Sequence, residues 1–235
     1  MMKTALVTGA SRGLGEALVV CLANRGYRVH GLVRTPQAVE ALHGHCAAAI
    51  PIIGDVARTE VITAIRDALG RCGDGLNLLI NNAGTGASIR AMQDGIEEEI
   101  AAHVNTHCLG ALRVSRAALP FLRRAEPALI VNVSSRFGST THAAAGLFHG
   151  RPLSYAYPIA KAAQNMLTLR MAEELRPGHV QVCAVHPGQV LTASGAPDAV
   201  TTPAEAATRL VNWLESPPAD LHGCYVDLDT GRPGW

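Results

Sequence analysis

The chain has 235 residues, 48% hydrophobic but only 4% aromatic, with 17% charged residues and a formal net charge of +1. That length suits one α/β domain with a substantial core. The near-neutral charge excludes the electrostatic footprint of a nucleic-acid or anionic-membrane binder, and so few aromatics argue against stacking platforms for single strands.

In chain order, strand-like and helix-like stretches alternate. "TALVT" (4–8) is a short apolar run ending at a glycine. Residues 14–25 read as a helix, with Leu14, Leu18, Cys21 and Leu22 at helical spacing and Gly26 suited to the C-terminal cap. "YRVHGLV" (27–33) is a second strand and Pro36 to Leu42 a short helix. "AAAIPIIG" (47–54) is a third strand, in which Pro51 disfavours a central ladder position. A helix over 58–70 precedes a fourth strand, "LNLLI" (76–80). One long helix is predicted over 96–119, with Pro120 marking a kink or a boundary. "ALIVNVS" (128–134), a helix over about 157–176, "VQVCAVH" (180–186), a helix near 203–215 and "CYVDLD" (224–229) complete the series.

Seven strands alternating with helices predict a single domain over 1–235. Its expected fold is a Rossmann-like, doubly wound, parallel seven-stranded sheet with helices on both faces. Residues 138–156 lack periodicity, and with 189–202 they are the expected substrate loops. No apolar run approaches the roughly 20 residues of a membrane span. "MMKTALVTG" runs straight into a strand pattern without a leader signature. Cys21, Cys46, Cys72, Cys108, Cys183 and Cys224 form no C-x-x-C pair and no zinc spacing. The expectation is a reduced, cytoplasmic protein without a membrane or nucleic-acid partner.

"TGASRGLG" (8–15) follows the first strand and opens the first helix. Gly9, Gly13 and Gly15 allow a sharp turn and close backbone approach to a pyrophosphate, which the free N–H groups of a helix N-terminus attract. NAD would call for an acidic residue at the end of the second strand to hold the ribose hydroxyl. "GLVRTP" supplies Arg34 instead, and Arg12 lies inside the glycine loop. Two guanidiniums suit a 2′-phosphate, so the expected coenzyme is NADP(H) over NAD(H). Solvated arginines are the alternative at both positions. Asp55 in "GDV" could accept from an adenine amine or cap a helix. "NNAG" (81–84) could line the coenzyme or form a bare turn.

"YAYPIAK" (155–161) sets Tyr157 four residues before Lys161, one above the other on a helix face. An ammonium there favours the phenolate. Proline is tolerated only in the first turn, so Pro158 requires the helix to begin close to Tyr157 or to kink there. His103 and His107 also have a possible metal spacing, but no third ligand is evident and no metal is expected.

Taken in order, Gly9/Gly13/Gly15, Asp55, "NNAG", Asn105, "SS" (134–135), Tyr157/Lys161 and "HPGQVLT" (186–192) resemble the short-chain dehydrogenase/reductase family over roughly residues 3 to 230. "SSRFGS", "YAYPIAK" and "GRPGW" are similar to its C-factor and sniffer-type carbonyl reductase branch. The resemblance implies a tetrad of Ser135, Tyr157, Lys161 and Asn105, with Tyr157 as proton donor and Asn105 holding a water in the relay. Ser134, one residue early, would point to the opposite face. It further implies coenzyme contacts from Gly9, Ser11, Arg12, Gly13, Leu14, Gly15, Arg34, Asp55, Val56, Asn82, Ala83, Gly84, Tyr157, Lys161, Pro187, Gly188, Val190 and Thr192. Thr192 could equally be a helix cap. His142, Phe148, His149 and Arg151 are candidates for substrate contact.

The expected activity is hydride transfer between nicotinamide and a carbonyl or alcohol of a small molecule, with a homodimer or homotetramer formed through the helices near 96–119 and 157–176. A coenzyme-binding regulatory or signalling protein of C-factor type is the alternative. An epimerase or dehydratase ranks below both, because the chain ends soon after the seventh strand.

Overall fold

The computed structural model describes residues 2–86, 89, 91–192, 199–231 and 234–235. One sheet contains β1 (Thr4–Thr8), β2 (Arg28–Val33), β3 (Ile50–Ile53), β4 (Leu78–Asn81), β5 (Ala128–Val133), β6 (Val180–His186) and β7 (Cys224–Asp227). The order is β3-β2-β1-β4-β5-β6-β7 and every pairing is parallel. The order reverses between β1 and β4, which opens a crevice beyond the carboxyl ends of the strands, where such sheets bind ligands. This is the doubly wound architecture expected from the alternation. Pro51 causes no conflict because β3 is an edge strand.

Side chains alternate across each strand and seed a core on each face. On one side Ala5 and Val7 of β1 pack with α1 (Gly13–Asn24), α2 (Pro36–His45) and α8 (Pro203–Glu215), through residues such as Leu18, Leu42 and Leu210. On the other, Leu6, Leu32 and Ile52 meet α3 (Val61–Cys72), α5 (Gly110–Leu122) and α7 (Ala156–Leu175), through Ile65, Phe121 and Met171. Helix α2 runs three residues past the predicted Leu42. Its start is set by the Thr35 hydroxyl, which accepts from Ala38 N, with Pro36 in the first turn.

The predicted helix over 96–119 is not continuous. It divides into α4 (Glu97–Val104), a π turn over Asn105–Leu109 and α5, which runs through Pro120 to Leu122. The wide turn seats Gly110 against Val56, where a Cβ would stand 3.0 Å from Val56 Cγ2. Within the predicted loop 138–156 a short helix, α6 (Thr140–Ala144), is capped by the Ser139 hydroxyl.

A buried chain of amides joins the sheet to α7. Asn81 Nδ2 donates to Asn132 Oδ1 (2.9 Å) and to Ser115 Oγ (3.1 Å), and Asn132 Nδ2 donates to Thr168 Oγ1 (2.9 Å). Cutting it strands buried polar atoms, at roughly 1–3 kcal/mol. Asn132→Leu is therefore expected to lower the unfolding free energy by about that amount, read from the urea midpoint at unchanged slope.

Candidate active site

The site begins at the glycine loop. Gly9 takes a left-handed φ of +68°, and a Cβ there would lie 2.9 Å from Ala83 Cα, so the loop after β1 touches the loop after β4. A Cβ at Gly15 would collide with the Gly9 carbonyl. Thr8 is the hub of the contact. Its hydroxyl accepts from Asn82 N (3.0 Å) and Ala83 N (2.9 Å), while Asn82 Nδ2 donates to Thr8 O (2.9 Å). Sequence reading missed Thr8, because a threonine ending a strand carries no signal of two donors brought from 74 and 75 residues away.

Helix α1 starts at Gly13 without a side-chain cap, unlike α2 and α8. Its first N–H groups face the crevice edge of the sheet, as an anion site requires. Arg12 and Arg34 are both exposed, Arg12 at the N-cap of α1 and Arg34 directly after β2. Ser11 is half-buried in the loop, and Leu14 is in the core rather than on the surface. Thr192 closes over the loop, its methyl 3.3 Å from where a Cβ on Gly13 would stand. Val190 pairs with Thr201 and packs against the first core. Residues 193–198 of the expected 189–202 loop lie outside the described residues.

After β3, Asp55 Oδ1 accepts from Ala57 N (2.9 Å) and so shapes its own turn. Val56 is buried against Gly110. Pro187 O accepts from Arg209 Nη2 (2.8 Å), which fixes the Pro187–Gly188 turn.

At the chemical end, the two serines part as their alternation requires. Ser134 Oγ donates to Asn165 Oδ1 (2.5 Å), deep in the protein. Ser135 instead caps a short turn by accepting from Phe137 N, and its hydroxyl acts on the Tyr157 phenol in the direction opposite to burial. Helix α7 begins at Ala156, so Pro158 falls in the first turn, and Ser154 Oγ accepts from Tyr157 N (3.2 Å).

Lys161 is only 4% exposed. Its Nζ donates to Val133 O (2.7 Å) and Gln164 Oε1 (3.0 Å), and lies 5.8 Å from the centre of the Tyr157 ring. Burial pushes the ammonium down to about 7. Burial also pushes the Tyr157 phenol up, and the Ser135 hydroxyl only partly opposes it. The expected lowering of the phenol by Lys161 is therefore not what the structure displays. The ammonium sits over the ring face and is held by two acceptors of its own.

Asn105 faces another way. Its Nδ2 donates to Ala57 O (3.2 Å) and its Oδ1 accepts from Arg113 Nη2 (2.8 Å). His103 and His107 stack at 5.8 Å, and His107 meets the Tyr157 ring edge-on at 5.5 Å. His103 Nδ1 and Nε2 lie 2.8 and 2.9 Å from the carbonyl oxygens of Glu99 and Gly86, and whichever nitrogen carries the proton has an acceptor. Of the substrate-contact candidates, Phe148 packs on Phe137 (5.0 Å) and near His142 (6.3 Å), forming one aromatic cluster beside Ser135. His149 packs on Gly146. Residues 234–235 strap this region down. Trp235 stacks on Tyr225 (5.6 Å) and its carbonyl accepts from Thr141 N (2.9 Å). His186, Asp227 and Asp229 bring ligand-type atoms within 4.8 Å of one another, but Asp229 already holds Arg209 Nη1 (2.5 Å).

The glycine loop, the serine and the tyrosine–lysine pair thus lie along the edge of the sheet where the parallel strands end, and comparison with known proteins gives the arrangement its family. The profile of short chain dehydrogenase matches residues 3–200. The chain belongs to this family. Carbonyl reductase [NADPH] 2 of Sus scrofa is 35% identical over 207 residues, 88% of this chain and 78% of that protein. C-signal of Myxococcus xanthus is 38% identical over 164 residues, 70% and 95% of the two chains. The solved carbonyl reductase Sniffer of D. melanogaster superposes with TM-score 0.88 at 25% identity, covering all of both chains. Against 3-ketodihydrosphingosine reductase of Bacteroides thetaiotaomicron, 30% identical, the chain spans 64% of the relative's length. The short-chain dehydrogenase relatives therefore include the C-factor and sniffer types that "SSRFGS" and "GRPGW" resemble. Among the described residues, no helix is long and apolar enough to cross a membrane.

The buried lysine has a consequence for stability. Its folded pKa of about 7 lies below the ordinary 10.5, so between those values the unfolded chain binds more protons and stability rises with pH. In urea titrations of the coenzyme-free protein, the wild type is expected to gain stability from pH 7 to 9 more steeply than Lys161→Met. The difference in slope should approach about 1.4 kcal/mol per pH unit.

Proposed function

We propose that the protein is an NADP-dependent oxidoreductase that transfers hydride between nicotinamide and a carbonyl or alcohol of a small molecule, with Tyr157 as general acid/base. The observation that carries this reading is the half-buried Tyr157 ring lying beneath the Lys161 ammonium, 5.8 Å from its centre, with the Ser135 hydroxyl acting on the same phenol. The glycine loop fits the coenzyme's pyrophosphate, because α1 is uncapped and side chains are missing where the backbone must be approached. Gly9, Ser11, Gly13 and Gly15 would hold it there, Asp55 and Val56 would border the adenine, and Asn82, Ala83, Gly84, Pro187, Gly188, Val190 and Thr192 would line the remainder. The bound coenzyme supplies the hydride.

The protein's own groups handle the oxygen. Ser135 donates to the carbonyl oxygen as negative charge gathers, and Tyr157 gives that oxygen its proton. Lys161, held by Val133 O and Gln164 Oε1, keeps its ammonium over the ring of the phenolate left behind. Tyr157→Phe removes only the acid. It is expected to lower kcat by roughly 10²- to 10⁴-fold on any carbonyl of a test panel, with NADPH binding by fluorescence titration unchanged.

Arg12 and Arg34 favour NADPH, in keeping with the coenzyme named for the Sus scrofa relative. Each Arg→Ala change should raise KM for NADPH about tenfold and leave that for NADH nearly alone. Equal effects on both coenzymes would refute the assignment. The C-signal relative favours a second reading, a coenzyme-binding regulatory protein. It gains if cellular activity survives Tyr157→Phe.

A further inference from the structure

The resemblance gives the helix place in the tetrad to Asn105, yet the structure commits the polar groups of Asn105 elsewhere. Besides the side-chain bonds to Ala57 and Arg113, its carbonyl accepts from Arg113 Nη1 (3.3 Å) and from Gly110 N. Arg113 Nη1 also reaches Val56 O (3.2 Å). Together these bonds staple the π turn to the loop after β3.

Two residues on, in the same turn, His107 does face the pair. It is 2% exposed, and its ring stands at 87° to that of Tyr157 with centroids 5.5 Å apart. Its Nε2 lies 3.1 Å from Thr85 O and 3.2 Å from Thr85 N, so Thr85 serves either tautomer. On the other side, Gly84 makes room for the ring, since a Cβ there would stand 2.5 Å from Cε1 and 3.0 Å from Nδ1. Tyr157 and Lys161 from α7 and His103 from α4 are the titratable groups facing it.

The geometry points to His107, in place of Asn105, as the helix residue that positions Tyr157, its imidazole wedged between Gly84 and the phenol ring and anchored at Thr85. The inference rests on Tyr157 acting as the proton donor. Burial first, and the charge of Lys161 second, push the imidazole down to about 2. The ring is thus neutral throughout the working range, and it keeps water from the phenol without adding a second positive charge beside Lys161. Asn105 then acts on the turn, not on the pair.

The test reads Tyr157 itself, as the near-ultraviolet tyrosinate titration of each NADPH-saturated protein minus that of the same protein carrying Tyr157→Phe. His107→Ala admits water to a phenol that burial holds high, so its ionisation should move to lower pH by about half a unit or more. Asn105→Ala should lower the thermal midpoint and leave that ionisation in place. A shift in Asn105→Ala with none in His107→Ala overturns the inference.

His107→Phe fills the same space and serves if the alanine variant does not fold. It should keep the ionisation high but, without the Thr85 anchor, lower kcat about tenfold at saturating NADPH. An unchanged kcat overturns the inference. Full activity of Tyr157→Phe, by contrast, defeats the proposed function and not this assignment alone.

Discussion

Burying one ammonium governs how the chemical end is built. Charge taken out of water must be met by acceptors or surrendered, and Lys161 does some of each. Val133 O and Gln164 Oε1 accept from it, and its proton affinity still falls to about 7. Both acceptors are fixed by what lies behind them. Val133 is the last residue of β5, and Gln164 belongs to the same helix as the lysine, with its carbonyl accepting from the Thr168 hydroxyl. Thr168 in turn ends the amide chain from Asn81 and Asn132. Helix α7 is thereby held in one register against β5, and that register sets Tyr157 beside Ser135.

The glycine loop obeys a different constraint, close backbone approach. Thr8, Gly9, Asn82 and Ala83 knit the loops after β1 and β4 together where the strand order reverses. Gly84 continues the same loop and admits His107. The "NNAG" segment thus links the two ends, with Asn82 turned to the glycine loop and Gly84 turned to the ring that meets Tyr157. Because all strands are parallel, every loop following a strand emerges at one edge. Residues far apart in sequence need only modest loops to meet there.

This explains what was legible in the sequence. The sheet and most helices follow from local periodicity, while the choice of Ser135 comes from the family resemblance, strand alternation adding only that Ser134 faces the other way. Pro158 required a helix start near Tyr157, and α7 begins one residue before it. The π turn was not legible, because its support is remote: Arg113 reaches back to Asn105 and across to Val56, and Gly110 must touch Val56. His107 was read only as one half of a metal-like spacing, since its partners at Thr85 and Tyr157 lie 22 and 50 residues away. The roles of Thr8 and of the 234–235 strap were hidden for the same reason. Nothing in a local window distinguishes a terminal tryptophan that stacks on Tyr225 from one in solvent.

The phenol's environment bears on direction. Burial leaves Tyr157 protonated at neutral pH. On the proposed reading it meets an alkoxide, whose conjugate acid lies near bulk water at about 15.7. Proton transfer to that oxygen remains downhill even from a phenol raised above its usual value of about 10. The reverse step needs the phenolate first, and burial, with Lys161 itself partly neutral near pH 7, makes that form scarce. On that reading the phenol is ready to protonate the oxygen at neutral pH, and its capacity to take a proton from an alcohol grows as the pH rises. Desolvation of the phenol sets where on the pH scale that capacity appears.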